Sequence, residues 1–406
     1  MNCRHCETKL QHIFLDLGFA PPSNAYLSPF DLNAPETYFP LKIYVCSECW
    51  LVQTEDFSCA DELFTKDYAY FSSISSSFLT HASNYCEMIT KRLELNSESF
   101  VIEIASNDGY LLKNFVAEGI PCVGVEPTDS TAAAAEALGI PVIREFFGKR
   151  FAQQQFELKK ADLILGNNVF AHVPDINDFT SGLKDALKIG GTITLEFPHL
   201  LSLVRLNQFD TVYHEHYSYL SLQSVQLIFE RAGLRVFDVE ELHTHGGSLR
   251  IYGCHATDDR ANSLNVTAIL EAELKGGLQS LQTYLDFQAK AEKVKDDLLH
   301  FLIEKKRQGE KVISYGAAAK GNTLLNYAGV KPDLLEFVCD AAPSKQGKFM
   351  PGSHIPILSP DKLAQHTPDY VLVLPWNIAE EVMQQNADLR KSGTKFIVAV
   401  PSLKIL

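Results

Sequence analysis

The order of apolar runs in this 406-residue chain predicts an α/β protein: two doubly wound, mostly parallel sheets in series behind a small N-terminal cysteine module. Three observations carry that prediction. Short apolar strands alternate with helix-length segments from Phe100 to Pro198. The alternation gives way to a charged helical stretch and restarts after Gly309. Two C-x-x-C pairs stand before residue 50.

Cys3 with Cys6, and Cys46 with Cys49, form those two pairs. Two such knuckles suit one tetrahedral zinc, and four cysteine ligands leave no position for water, so the metal would be structural. Cys59, Cys86, Cys122, Cys254 and Cys339 lack that spacing and read as reduced, buried apolar side chains. Next, "DYAYFSSISSSFLTHASNYCEMITKRLEL" passes from an aromatic loop into an amphipathic helix. "FVIEIAS", "PCVGVEP", "ADLILGNNV" and "GTITLEFP" read as strands, with helical spacing in "YLLKNFVAEGI", "TAAAAEALGI" and "NDFTSGLKDALKI" between them. "LRVFDVEEL" and "GSLRIYGCH" add an antiparallel edge pair. Residues 261–308 read as helices with alternating charges, and "KVISYG", "AAKGNTLLNYAG", "LLEFVCD", "DYVLVLP" and "FIVAVP" build the second, smaller sheet.

Composition narrows the function. The length suggests two or three domains. A formal net charge of -14 argues against non-specific nucleic-acid binding, which needs concentrated Lys and Arg. No run approaches the roughly 20 apolar residues of a membrane span, and MNCRHCETKL lacks a signal-peptide core, so a cytoplasmic setting is expected.

Three stretches carry chemistry. In "VIEIASNDGYLLKNF", Glu103 lies on a strand and Gly109 opens a helix, a turn whose backbone N–H groups can approach a cofactor. Of the G-x-G-x-x-G set only Gly109 remains, which disfavours a dinucleotide. Glu126, about 20 residues on, could accept two ribose hydroxyls. S-adenosylmethionine, with a ribose and adenine but no phosphate, fits better; the alternative is an ordinary turn with Glu126 solvated. In "VISYGAAAKGNTLLNYAG", Gly316, Lys320, Gly321 and the adjacent Asn322 could hold an anion such as the diphosphate of a sugar nucleotide. It is no P-loop, because Lys320 precedes Gly321, and the glycines could instead serve close helix packing. "FDTVYHEHYSYL" concentrates Tyr213, His214, Glu215, His216 and Tyr217. As a strand it has no plainly apolar face, and the plain reading is a half-exposed strand or loop with its histidines in water. Ser218 stands where H-E-x-x-H needs its second histidine, so proton transfer fits better than a catalytic zinc.

Taken in order, the two C-x-x-C pairs, "EIASNDGYLL", "GVEPT", "NNVFAHVPD", "EFPHLLSLV", "FDTVYHEHYSYLSL", "HGGSLRIYG" and "GAAAKGNTLLNY" closely resemble the bacterial nucleotide-sugar C-methyltransferases. The likeness is greatest to the 3-C-methyltransferases that make branched deoxysugars, and it covers nearly the whole chain. It implies a zinc-binding domain over 1–66, a class I S-adenosylmethionine-dependent methyltransferase (Rossmann-like) domain over 67–258, and a helical connection with a Rossmann-like sugar-nucleotide domain over 259–406. The antiparallel edge pair suits such a methyltransferase sheet. Ser106, Asn107, Asp108 and Asn167 would line the cofactor with Glu103, Gly109 and Glu126. The resemblance makes His216 the base that removes the C3 proton of a 4-keto-6-deoxy sugar, with Tyr213 on the enolate or in proton transfer. Glu215 would orient a sugar hydroxyl or a neighbouring side chain. Tyr70 and His172 are the matched remote partners, with Tyr68 the alternative to Tyr70; His172 could instead cap the helix after Pro174. An O- or N-methyltransferase and a non-enzymatic zinc-ribbon adaptor are the competing functions. The sequence leaves open the sugar, the nucleotide base, C3 against C5, the base role of His216 against Tyr213, and the oligomeric state.

Overall fold

The computed structural model describes residues 1–55, 57, 71–74 and 76–406. Its contacts divide the chain into two units that interleave along the sequence. Met1–Leu10, Cys46–Leu200 and Tyr217–Gln279 form the first; Gln11–Val45, Leu201–His216 and Ser280–Leu406 form the second.

The first unit is built on a seven-stranded sheet. Its order is Val142–Ile143, Cys122–Val125, Val101–Ile104, Ala161–Asn167, Leu187–Pro198, Ser248–His255 and Leu234–Leu242. The first five strands are parallel, and Ser248–His255 inserts antiparallel between Leu187–Pro198 and Leu234–Leu242. Val101–Ile104 is buried along its whole length, as a parallel strand covered on both faces must be. The helix Ser76–Leu93 presents Ala82, Tyr85, Cys86 and Ile89 to Tyr110, Leu112 and Phe115, the apolar stripe that its spacing predicts. Helix Ile176–Ala186 begins at Asp175, whose side chain accepts from the Asp178 N–H. Asp175 is therefore the cap, and His172 ends the short 3-10 turn Phe170–His172 before it. Gly124 has a specific reason to be glycine, since a Cβ there would come within 2.3 Å of Ser106 Oγ. That close approach lets the turn after Val101–Ile104 fold back over the neighbouring strand.

In the second unit a six-stranded sheet runs Ile357–Leu358, Val338–Cys339, Val312–Tyr315, Tyr370–Val373, Lys395–Val398 and Lys404–Ile405. All pairs are parallel except the last. Helix Phe287–Gln308 stops at Gly309, which takes φ 76° in the left-handed region that ends helices. An antiparallel pair, His12–Ala20 with Phe39–Val45, also belongs to this unit. Among the described residues no helix is long and apolar enough to cross a membrane.

The "YHEHY" stretch is not a strand. Only Ser218–Tyr219 pairs, while His216 N–H donates to Tyr213 O at 3.0 Å and closes a turn. Nor do its histidines lie in water: His214 and His216 are each 7% exposed and Glu215 is 2% exposed.

Candidate active site

The four cysteines come together in the first unit. Cys3 Sγ lies 3.5 Å from Cys49 Sγ, Cys6 Sγ 3.5 Å from Cys46 Sγ, and all four sulfurs are within 4.8 Å of one another. A tetrahedron with Zn–S bonds of about 2.3 Å has edges of about 3.8 Å, so the donor set fits one zinc closed to water. The Cys49 hydrogen bond draws the Cys3 thiol down to about 4 and pushes Cys49 up in turn. Gln53 Nε2 also donates to Cys3 Sγ, while its Oε1 accepts the Arg4 N–H. Among the described residues this is the one cluster arranged to hold a metal, and neither His214 nor His216 belongs to it. Cys86, Cys122, Cys254 and Cys339 are buried, reduced thiols, and Cys59 lies outside the described residues.

The expected cofactor residues gather at the C-terminal ends of three adjacent parallel strands, the edge at which open α/β sheets bind ligands. Glu103 lies within Val101–Ile104; Ser106, Asn107, Asp108 and Gly109 form the turn after it. Glu126 follows Cys122–Val125 directly, and Asn167 ends Ala161–Asn167. The turn is tight: Ala105 (φ 55°) and Asn107 (φ 49°) take left-handed backbone that side chains rarely adopt. Glu126 braces it, with one oxygen accepting Asn107 N–H at 2.9 Å and the other Thr128 N–H at 3.0 Å. Asn107 Oδ1 and Asp108 Oδ2 accept the backbone N–H groups of Ser72 and Ser73. Glu103 Oε2, Ser106 Oγ, Asp108 Oδ1 and Asn167 Nδ2 are buried with no hydrogen-bond partner among the described residues. Burial, then the nearby Glu126 and Asp108, pushes the Glu103 carboxyl well above its ordinary value. Unsatisfied donors and acceptors at this edge suit a ligand carrying hydroxyl, amino and carboxylate groups, so the residues fit S-adenosylmethionine.

Sequence reasoning overlooked the supports around this edge. Asn168 (φ 56°) and His245 (φ 54°) are both left-handed and face each other, Nδ2 to Nε2, at 3.2 Å. Beneath them Glu196 is fully buried and meets His81 Nε2 and Arg250 Nη2 at 2.9 Å each, and accepts from Thr244 Oγ1 at 2.9 Å. Burial opposes its charge, but His81, Arg250 and Thr244 pull its pKa down to about 2. The "NNVFAHVPD", "EFPHLLSLV" and "HGGSLRIYG" stretches contain Asn168, Glu196, His245 and Arg250, but nothing in them showed these contacts.

The second unit holds the "YHEHY" cluster. His216 Nδ1 lies 3.1 Å from Thr211 O. A carbonyl only accepts, so Nδ1 carries a proton, and in the neutral ring the lone pair is then on Nε2. The Tyr213 ring lies against this imidazole, tilted by 36°, with centroids 4.0 Å apart. His214 Nε2 bonds to Pro40 O and its ring packs on Phe39, while Nδ1 is buried with no hydrogen-bond partner among the described residues; burial lowers its pKa. Asn24 Nδ2 donates to both oxygens of Glu215, at 2.9 and 2.7 Å. Tyr68 and Tyr70 lie outside the described residues, and His172 belongs to the first unit.

The Gly316 turn is also in the second unit. Gly316 N–H donates to Cys339 O, Ala317 N–H to Asp340 Oδ2 and Ala318 N–H back to Gly316 O. An anion at the Ala319–Ala328 helix would therefore meet Lys320 and the first-turn amides rather than these three. Lys320 Nζ donates to Asn377 Oδ1 at 2.7 Å and lies 4.5 Å from the Trp376 ring. The Trp376 indole donates to buried Asp210, whose pKa burial raises to about 6 against the pull of Lys320. Gly321 is a packing glycine, for a Cβ would meet Leu374 at 2.8 Å. Asn322 is buried, with Oδ1 accepting from Asn326 and Nδ2 unpartnered among the described residues.

Three family models match successive parts of the chain. Residues 3–64 match a zinc-binding domain family, 78–239 a methyltransferase domain and 243–401 the C-methyltransferase C-terminal domain. Among solved structures, an S-adenosylmethionine-dependent methyltransferase from Clostridium acetobutylicum is 11% identical, with TM-score 0.36 over 44% of this chain and 92% of that one. Magnesium protoporphyrin IX methyltransferase from Synechocystis is 13% identical, with TM-score 0.35 over 43% and 82%. The C-methyltransferase NovU of Streptomyces niveus is 34% identical over all of this chain and 96% of its own length. On that full-length identity and the three domain matches, the chain belongs to the C-methyltransferase family: it is an S-adenosylmethionine-dependent methyltransferase with an N-terminal zinc-binding domain.

Proposed function

We propose that this C-methyltransferase acts on a nucleotide-linked 4-keto-6-deoxy sugar and methylates the carbon next to the ketone, C3 in this reading. The observation that supports it best is the placing of His216: its Nδ1 meets Thr211 O, and its ring lies against that of Tyr213 in a buried setting. O- or N-methylation has no need of a carbon base. S-adenosylmethionine supplies an electrophilic methyl group when bound at the Glu103–Glu126 edge.

In this reading His216 Nε2 removes the C3 proton, and the Tyr213 hydroxyl stabilises the charge that develops on the 4-oxygen. Glu215 holds a sugar hydroxyl, Lys320 meets the diphosphate, and Tyr70 and His172 are remote partners. Residues 1–66, 67–258 and 259–406 then serve zinc, cofactor and sugar nucleotide in turn. A cytoplasmic setting keeps the four zinc thiols reduced. The test is incubation of the protein with methyl-labelled S-adenosylmethionine and a panel of 4-keto sugar nucleotides, with NMR location of the label. Label on C3, with solvent deuterium entering that carbon when cofactor is withheld, supports the reading. Label on oxygen or nitrogen, or on no member of the panel, overturns it.

A further inference from the structure

The segment between the strands His12–Ala20 and Phe39–Val45 reads as an ordinary polar loop, "PPSNAYLSP". In the second unit it does something a loop has no need to do. Asn24 turns its amide onto a carboxylate that is 2% exposed, and Nδ2 lies 2.9 and 2.7 Å from the two Glu215 oxygens. The orientation is fixed by chemistry, because the flipped amide would set its own oxygen against an anion. Two residues on, Tyr26 donates its hydroxyl to Ala317 O at 2.5 Å, and Lys345 Nζ donates to the same carbonyl at 2.8 Å. Ala317 N–H in turn bonds to Asp340. The neighbouring Ser23 lies 3.5 Å from Thr323, whose hydroxyl donates to Val212 O next to Tyr213. One short segment thus grips the "YHEHY" turn at one end and the Gly316 turn at the other.

We propose that Asn24 is a positioning residue: it fixes the rotamer of Glu215 and holds it as a charged acceptor for the sugar hydroxyl. Tyr26 anchors the segment so that Asn24 keeps its place. The inference rests on the proposed role of Glu215 in binding a keto sugar. A carboxylate next to a proton-transfer pair has several rotamers in which its charge would disturb the base, and a two-oxygen grip from one amide selects among them. A neutral donor does so without adding a second titrating group.

The experiment is a set of full-length variants assayed for methyl transfer and for C3 deuterium exchange: Asn24→Ala, Asn24→Asp, Glu215→Gln and the Asn24→Ala/Glu215→Gln pair. Loss of the amide that donates to both Glu215 oxygens predicts a fall of about tenfold or more in turnover for Asn24→Ala. Asn24→Asp keeps the shape but replaces the donor by a second carboxylate, so it should be worse than alanine by at least a further tenfold. A purely packing role predicts the reverse order, the near-isosteric Asp being milder than Ala. In the Glu215→Gln background Asn24→Ala should cost less than threefold, because Asn24 acts through Glu215. Binding of S-adenosylmethionine by calorimetry should be unchanged in every variant. Asn24→Asp milder than Asn24→Ala, or full additivity in the pair, overturns the inference. Failure of the wild-type protein to methylate or exchange any keto sugar overturns the functional reading instead, so the two failures are distinct.

Discussion

Replacing Glu126 by alanine tests the cofactor edge at its most connected point. Its carboxylate accepts the N–H groups of Asn107 and Thr128 and the Thr128 hydroxyl, and thereby holds the left-handed turn at Asn107. Three of a carboxylate's four lone-pair directions are thus taken, which leaves one for a ribose hydroxyl rather than the two expected from the sequence. Bonds to a charged acceptor contribute about 1.5–3 kcal/mol each. The variant loses the ribose partner, while the released turn stays tied through Asn107 and Asp108 to Ser72 and Ser73. Weakening of S-adenosylmethionine binding by about 1–3 kcal/mol is expected, which is roughly 5- to 150-fold in Kd. Glu126→Gln keeps the shape and one acceptor and should fall nearer the lower end. Isothermal titration calorimetry reads the affinity, and the cofactor's stabilisation of the melting temperature reads it independently. A folded Glu126→Ala protein that binds S-adenosylmethionine within twofold of wild type would refute the assignment.

Cys46→Ser should lower the zinc content from about one per chain and reduce thermal stability, since four thiolates close the structural site; unchanged metal analysis and melting would remove the cluster from the zinc reading. Glu196→Gln should destabilise the protein by about 3 kcal/mol near neutral pH, because it leaves buried Arg250 with only its longer, 3.4 Å pair to Glu240. The sign follows from a folded pKa of about 2 against an ordinary 4.5: the carboxylate's contribution, about 3 kcal/mol, is complete above pH 4.5 and is lost as pH falls toward 2. Denaturant unfolding at stepped pH should therefore show the gap between wild type and Glu196→Gln narrowing below about pH 4.5; a constant gap is the contrary result.

Much of the architecture was legible because its physical signals are local. Runs such as "VIEI" and "VISY" are buried on both faces and read as continuous apolar strands, and Gly309 ends its helix with the positive φ that its position suggests. The cysteine cluster was legible through spacing alone. Two-residue strands such as Val142–Ile143 and Ile357–Leu358 carry no periodicity, and the interleaving of the units depends on contacts between residues hundreds of positions apart. The same limit hid Asn24, 191 residues from Glu215, and Glu196, a buried acid whose partners arrive from three other segments. "YHEHY" misled for a different reason. Alternation was weighed there, but a turn through His216 N–H and burial by Pro40 and Phe39 decided the conformation.

That turn sets up the sharpest separation of roles. In the proposed reading His216 contributes both a base and a ring whose centroid lies 4.0 Å from that of Tyr213, so alanine removes packing and chemistry together. His216→Phe keeps an aromatic face and loses only the nitrogen atoms. If Nε2 is the base, both variants should lower methyl transfer by about 100-fold or more, as expected for loss of a general base. Both should also abolish deuterium exchange at C3, which needs deprotonation but no methyl donor. Tyr213→Phe should retain part of each activity, since it removes one hydrogen bond from the developing enolate oxygen and leaves Thr211 holding the tautomer. Near-normal exchange in His216→Phe, with none in Tyr213→Phe, would reverse the assignment. The phenolate of Tyr213 would then be the base, and the imidazole would only support it.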